Sequence, residues 1–258
     1  MTASAADDPR PHHGRALRLA ILGGGLIMGL ALGIRHVQGL FMLPMTLERG
    51  WSRETFAFAL ALQNLALGIA QPLVGMIADR FGAPRVIASG ALLYGLGLWI
   101  MSTATTASGL YIGCGVVIGI ALACTAFGVI YGALSRLAPE AERGWALGLS
   151  GAVGGLGQFI AVPATQALQD RLGWGWALLA MGGAMSLTAL LAPMLDDRRG
   201  AARLAPAIRT VVAHQPIGAA IREASRHRGF WLLNLGFLAC GFQLAFIASH
   251  LPAWLLDQ

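Results

Sequence analysis

The sequence predicts an all-α protein that crosses a membrane several times. Of its 258 residues, 56% are hydrophobic and only 12% are charged, and the mean hydropathy is +0.66, which is more apolar surface than a soluble fold can bury. The apolar residues gather in runs of about 20 or more, the length of a helix that crosses a hydrocarbon core about 30 Å thick. Because lipid offers no hydrogen-bond partners, the backbone of such runs is expected to be helical.

Seven runs fit this description, and each is predicted to be one membrane-spanning helix. They cover residues 17–41, 55–78, 86–106, 110–135, 145–168, 174–195 and 230–254. Residues 1–16 carry few apolar side chains and are predicted to form a disordered tail. A cleaved signal peptide is the alternative for the first run, since Arg15 and Arg18 precede it, but apolar residues continue past Arg35 to Leu43 and favour a span.

The arginines predict the orientation of the spans. All 18 basic residues are arginines, and 14 of them lie in the tail, between spans two and three, between spans four and five, or after span six. Basic residues collect in cytoplasmic loops, so the N-terminus and the segment 196–229 are predicted to be cytoplasmic. A formal charge of +6 and a pI near 10.2 would alone favour a nucleic-acid partner, but basic residues arranged around spans indicate a lipid bilayer instead.

The segment 196–229 is predicted to be a basic linker whose later part is helical. Its small and apolar residues share one helical face: Ile217, Ala220, Ile221 and Ala224. Charged residues point elsewhere: Arg222, Glu223 and Arg226. A helix of this kind is expected to lie on an anionic membrane surface.

Glycines predict where the helices pack closely. Two sets follow helical spacing, one in span one and one entering span five: Gly25, Gly29 and Gly33, then Gly144, Gly148, Gly151 and Gly155. In lipid, where burial of apolar surface does not drive helices together, such smooth faces let two backbones approach. Both sets are therefore predicted to be packing faces.

Arg35 is the most informative polar residue inside a span. An arginine at the centre of a membrane helix costs roughly 2.5–3.5 kcal/mol on insertion scales, so a partner is expected. In a wet cavity it can hold a carboxylate through two hydrogen bonds. The alternative is that span one ends at Ile34 and Arg35 extends to the outer interface, but the apolar residues from Gly39 to Leu43 favour the cavity.

Further polar residues lie inside other spans. Gln63, Asn64 and Gln71 of span two are expected to hydrogen-bond neighbouring helices rather than to bind substrate. The three cysteines lie in three different spans, which suits small packing residues better than a disulfide or a metal cluster: Cys114, Cys124 and Cys240.

A short charged motif separates spans two and three. From Gly75 to Arg85 the chain reads Gly-Met-Ile-Ala-Asp-Arg-Phe-Gly-Ala-Pro-Arg. Five of these residues match the loop signature Gly-x-x-x-Asp-Arg-x-Gly-x-x-Arg: Gly75, Asp79, Arg80, Gly82 and Arg85. In this motif the chain resembles the N-terminal half of major facilitator superfamily (MFS) transporters.

The resemblance implies a domain order. Twelve spans in two halves are typical of the superfamily, so 1–16 would be the cytoplasmic tail, 17–195 the N-terminal six-helix bundle, 196–229 the linker and 230–258 the first helix of a C-terminal half. The chain is accordingly expected to be truncated or fragmentary, with a missing C-terminal half or a second copy as its partner. The bacterial inner membrane is the expected location.

The resemblance also implies a substrate site. Span one, the hairpin and the Gly-Phe-Gln to Ser-His-Leu-Pro pattern of Gly241 to Pro252 look most like the monocarboxylate and oxalate/formate porter branch. Arg35 would then anchor a small organic anion, with His36 as a proton-coupling candidate and Gln38 one turn away. By analogy with helices that line the transport path, Tyr131 and Gln243 are expected to line it as well.

The same resemblance implies a gate. The hairpin motif is expected to form charge contacts that hold one state together and break as the two halves rock. Arg136 and Arg143, in the next loop on the same side, are the expected partners of Asp79.

Three alternatives to an anion transporter stay open: an efflux pump for apolar compounds, a non-transporting half-sized scaffold, and an integral-membrane enzyme. A charged Arg35 favours the anion. The enzyme is not favoured, because the sequence has no metal-binding His-x-x-His or Cys-x-x-Cys pair, no phosphate-binding Gly-x-x-x-x-Gly-Lys and no Gly-x-Ser-x-Gly. No cofactor and no metal are expected.

Overall fold

The computed structural model describes residues 10–196, 217–239, 241 and 243. These residues are almost entirely helical and include no strand, so the predicted all-α class is confirmed. The chain divides into two compact units, Met1–Arg203 and Leu204–Gln258, and each is described by itself.

The first unit contains nine α-helices among its described residues. They are α1 (Arg10–Val37), α2 (Gly39–Arg49), α3 (Arg53–Phe81), α4 (Ala83–Thr103), α5 (Ala107–Leu110), α6 (Ile118–Thr125), α7 (Phe127–Leu137), α8 (Arg143–Leu172) and α9 (Trp174–Leu187). A π-helical stretch, Tyr111–Val117, joins α5 to α6. Two 3₁₀ segments precede α8 and extend α9, namely Glu140–Glu142 and Thr188–Leu195.

Five stretches of the described chain are long and apolar enough to cross a membrane: Gly14–Val37, Arg53–Phe81, Ala83–Thr103, Ala107–Leu137 and Glu140–Leu195. The last contains 56 residues, about 84 Å of helix at 1.5 Å per residue, which is far longer than one crossing. The chain turns at Gly173, whose φ is +79°, and α9 packs back against α8. The described part of the first unit therefore holds six helical segments of spanning length, and its many outward-facing apolar side chains suit lipid.

Span one differs from its predicted bounds of 17–41. The helix begins at Arg10, so residues 10–16 are helical rather than disordered, and α1 ends at Val37. A single turn residue, Gln38, separates α1 from α2. Strong helix formers from Arg15 to Leu17 let the helix extend into a segment that composition alone assigned to a tail.

The second unit contains α10 (Ile217–Arg226), where the spacing of small and apolar residues predicts a helix. Residues 228–239 are also helical, and the Trp231 indole N–H donates to the Ser225 carbonyl at 2.7 Å. This helix overlaps the start of the predicted seventh span, 230–254, most of which lies outside the described residues.

Small residues bring α1 and α8 into backbone contact. A Cβ added to Gly29 would stand 3.1 Å from the Gly154 carbonyl oxygen, and one added to Gly33 would stand 2.9 Å from the Ala161 Cβ. Gly157 is as tight, since its Cβ would lie 2.8 Å from the Gly29 Cα. The predicted packing face of span one is therefore confirmed.

The predicted packing face of span five is wrong. A Cβ on Gly144, Gly148 or Gly155 would meet none of the described residues within 4 Å. Gly151 approaches α7 instead, because its Cβ would lie 2.6 Å from the Tyr131 hydroxyl. Spacing alone could not identify the buried face, since α8 carries glycines all round and only contact with α1 selects Gly154 and Gly157.

Candidate functional site

The candidate site centres on Arg35, in the last turn of α1. Its side chain is half-buried, and its Nη2 donates a hydrogen bond to the Asn64 Oδ1 on α3. The helix runs past Ile34 to Val37, so Arg35 lies within a spanning helix and contacts a neighbouring one. Arg35 stands two residues before the end of this helix, and its depth in a membrane stays a prediction.

The charge of Arg35 has no counter-ion in the described chain. None of the described carboxylates lies within 4.0 Å of its nitrogens, and the neutral Asn64 amide is its hydrogen-bond acceptor. Asn64 is exposed, and its Nδ2 donates to the Leu60 carbonyl one turn earlier at 2.9 Å. The site therefore presents a net positive charge beside a reachable surface.

Tyr94 supports this site and was not singled out from the sequence. The side chain is 0% exposed, and its hydroxyl donates to the Ala31 carbonyl at 3.0 Å, which ties α4 to α1 one turn before Arg35. A phenol in the middle of an apolar helix needs a partner, and that was the available signal. The partner itself depends on how α4 packs against α1.

Gln63 fixes the other side of the site. Its Nε2 donates to the Cys114 carbonyl at 2.9 Å, inside the π-helical stretch Tyr111–Val117. A π-helical turn interrupts the usual α-helical pattern of backbone hydrogen bonds, and here one of its carbonyls accepts a hydrogen bond from a buried side-chain amide. Gln63 and Asn64 thus hydrogen-bond neighbouring helices, as predicted, whereas the Gln71 side chain is exposed near Gly128.

The two predicted neighbours of Arg35 do not converge on it. His36 is exposed, and its Nδ1 lies 2.8 Å from the Leu32 carbonyl of its own helix. Gln38 is 1% exposed, and neither its Nε2 nor its Oε1 has a partner among the described residues. Neither side chain is hydrogen-bonded to the Arg35 guanidinium, since His36 lies against its own helix and Gln38 is buried at the break between α1 and α2.

The two remaining predicted lining residues belong to different compact units. Tyr131 is half-buried on α7, with its hydroxyl against Gly151 and its ring edge-on to Phe127 at 5.3 Å between centroids. Gln243 belongs to the second compact unit and is exposed there.

The hairpin motif forms a sharp reversal between α3 and α4. Gly82 is the single residue between them, with φ +91°, a conformation that favours glycine. The Asp79 Oδ1 lies 3.1 Å from the Arg136 Nη1 at the end of α7. Arg80 lies over the Phe81 ring at 5.4 Å.

The remaining members of the motif make fewer contacts. A Cβ on Gly75 would meet nothing within 4 Å, and Arg85 is exposed. Arg143 forms no ion pair with a described carboxylate, so Asp79 has one of its two expected partners, Arg136. Arg143 is the first residue of α8.

A second polar contact joins a different pair of helices, α2 and α9. The Trp174 indole N–H donates to the Glu48 Oε2 at 2.5 Å, and the Arg49 guanidinium lies 5.5 Å from the Trp174 ring centroid. The end of α2 is thereby attached to the start of α9.

Comparison with known proteins relates the chain to a protein family. A sequence profile of the Major Facilitator Superfamily matches residues 21–258. Monocarboxylate transporter 11 of Mus musculus is 31% identical over 172 residues, which are 65% of this chain and 38% of that protein.

Two further relatives come from bacteria. The uncharacterized MFS-type transporter YcxA of Bacillus subtilis is 25% identical over 232 residues, which are 84% of this chain and 52% of that protein. The puromycin resistance protein pur8 of Streptomyces alboniger is 31% identical over 156 residues, 59% of this chain and 30% of that protein. The chain thus spans between 30% and 52% of the length of these three relatives.

Proposed function

This chain belongs to the major facilitator superfamily, and from that membership we propose that it moves a small organic anion, a monocarboxylate, across a membrane by alternating access. It is a multi-pass membrane protein. The observation that supports an anionic substrate is Arg35, a cation within a spanning helix whose described hydrogen-bond partner is a neutral amide.

The physical argument rests on the cost of that charge. Burying an arginine in a membrane helix is unfavourable unless an anion or water compensates it. A guanidinium offers parallel N–H donors that match the two oxygens of a carboxylate. Arg35 is half-buried and its partner Asn64 is exposed, which leaves the guanidinium within reach of a small anion.

The relatives support the same substrate class. Among them is a protein named monocarboxylate transporter 11. We assign supporting roles to the other predicted residues. Gln38, Tyr131 and Gln243 would line the path, and the exposed His36 would exchange protons.

We assign the gate to the hairpin. Gly82 keeps the turn between α3 and α4 to one residue, and Asp79 joins that turn to Arg136 on α7. Breaking such a contact as helices move is one way in which alternating access is coupled to a binding site. Gly75, Arg80, Arg85 and Arg143 would take part in other steps of the cycle.

The remaining assignments follow from the same proposal. Residues 17–195 would be the six-helix bundle, 196–229 the cytoplasmic linker and 230–258 the start of the second half. The arginine distribution supports a cytoplasmic N-terminus. A bacterial inner membrane is part of the same proposal.

Export of apolar compounds is the second candidate. The relative named puromycin resistance protein favours it, and so does the aromatic pair of Phe127 and Tyr131 on α7. The net charge at Arg35 argues against it, because an apolar compound leaves that charge without compensation.

Binding of radiolabelled pyruvate to the full chain in lipid nanodiscs tests the anion proposal. We expect Arg35→Gln to abolish binding and Arg35→Lys to retain part of it, since lysine keeps the charge but loses the two-pronged geometry. Arg18→Gln is the matched control, because Arg18 is an exposed arginine on the same helix. Equal pyruvate binding by the wild type and Arg35→Gln would refute the role of Arg35.

A further inference from the structure

We propose that Asn64 occupies the place of the substrate carboxylate on Arg35 and is displaced when the anion binds. Asn64 would then set both the affinity and the charge selectivity of the site. This inference rests on the proposed function, since it names the residue with which an anion must compete.

The geometry of Asn64 holds an acceptor against the guanidinium. Its Nδ2 donates to the Leu60 carbonyl at 2.9 Å, and its Oδ1 accepts from the Arg35 Nη2. An amide has distinct donor and acceptor ends, so the bond to Leu60 determines which end faces Arg35. The acceptor is thereby presented where a carboxylate oxygen would bind.

Displacement needs only a side-chain movement. Tyr94 ties α1 to α4 next to Arg35, and Gln63 ties α3 to the π-helical stretch next to Asn64. Both backbones are therefore held by buried hydrogen bonds. Asn64 itself is exposed, so its side chain is not packed in place and can move away from Arg35.

The chemistry of the two acceptors explains why the anion wins. A carboxylate carries the opposite charge to the guanidinium and can accept two parallel N–H bonds from it, whereas the Asn64 amide is a neutral acceptor of one bond. Without substrate, the Asn64 amide lowers the free-energy cost of burying the Arg35 guanidinium, but it does not neutralise the positive charge. The site should consequently prefer anions over neutral amides or alcohols of the same size.

Two substitutions at Asn64 should have opposite effects. Asn64→Ala removes the competitor, and pyruvate binding should tighten by about two- to tenfold, the equivalent of one net hydrogen bond. Asn64→Asp supplies a permanent counter-ion, and pyruvate binding should weaken by more than about tenfold. Gln71→Glu is the matched control, because it adds the same charge to an exposed position on α3 two turns away.

The experiment uses a readout that does not depend on the substrate. Phenylglyoxal modifies arginine side chains that are not engaged, and mass spectrometry of the full chain in nanodiscs measures its rate at Arg35, with the exposed Arg18 as internal standard. We expect the Arg35 rate, without pyruvate, to rise severalfold in Asn64→Ala, to fall in Asn64→Asp and to stay unchanged in Gln71→Glu. Asn64→Ser, whose side chain is too short to reach Arg35, replaces Asn64→Ala should the latter fail to fold.

The two proposals fail in different ways. Equal Arg35 labelling in the wild type and Asn64→Ala, including no labelling in either, overturns the role of Asn64. Labelling that depends on Asn64 but is not slowed by pyruvate retains Asn64 as the partner of Arg35 and refutes the monocarboxylate as its competitor. Pyruvate protection that is stronger in Asn64→Ala and absent in Asn64→Asp supports both.

Discussion

The Asp79 carboxylate on α3 lies 3.1 Å from the Arg136 guanidinium on α7, across 57 residues of chain. The Asp79 side chain is 71% exposed. Exposed ion pairs contribute about 0–1 kcal/mol, so this contact adds little to the stability of the bundle. A contact of small energy that links two helices at the hairpin is suited to being broken and re-formed.

Asp79→Asn is therefore expected to separate stability from turnover. The free energy of unfolding should fall by less than about 1 kcal/mol, whereas transport by cells expressing the variant should slow without a loss of pyruvate binding. Asp170→Asn is the matched control, because Asp170 is an exposed aspartate near the end of α8. Wild-type transport rates in Asp79→Asn would show that the ion pair has no role in the cycle.

Gly157→Ala should destabilise the bundle through the contact between α1 and α8. The added Cβ would lie 2.8 Å from the Gly29 Cα, and backbone atoms in two long helices cannot yield as a flexible side chain can. We expect a loss of about 1–3 kcal/mol, measured as a lower Tm in detergent. Gly155→Ala, two residues earlier with nothing within 4 Å, should leave the Tm unchanged or raise it. A similar Tm for both variants would contradict the close packing.

Tyr94→Phe should weaken anion binding without contact between Tyr94 and the anion. It removes the bond to the Ala31 carbonyl, which contributes about 1 kcal/mol, and loosens α1 beside Arg35. Pyruvate binding to nanodiscs and thermal unfolding measure the two effects. Tyr111→Phe is the control, because Tyr111 makes a ring contact with Phe58 and its hydroxyl has no hydrogen bond to a described residue. Reduced stability with normal pyruvate affinity would limit Tyr94 to a structural role.

Much of the fold could be read from the sequence because membrane helices have a strong signal of length and composition. The runs that became α3 and α4 were predicted within a few residues of their ends, since a charged turn separates them. The break at Gln38 was missed because the apolar run continues across it. The glycines of α8 that face α1 could not be predicted either, because glycines occur all round that helix.

The candidate site was predicted less completely. Arg35 was found because a charge inside an apolar run stands out. Its grouping with His36 and Gln38 rested on closeness in sequence, and the structure instead joins Arg35 to Asn64, 29 residues away. Tyr94 was overlooked because a tyrosine in a long apolar helix is common and its partner is a backbone carbonyl, which carries no sequence signal.

By itself the sequence determined that this protein is helical, that it crosses a membrane, and that Arg35 and the hairpin motif are its unusual features. These properties follow from local quantities, namely hydropathy, helix length and the cost of a charge in lipid. The tertiary structure decided which residues contact them: Asn64 contacts Arg35, Arg136 contacts Asp79, and Gly154 and Gly157 pack against the glycines of α1. Such pairings depend on the rotation and register of packed helices, which contacts between distant residues set and local composition does not encode.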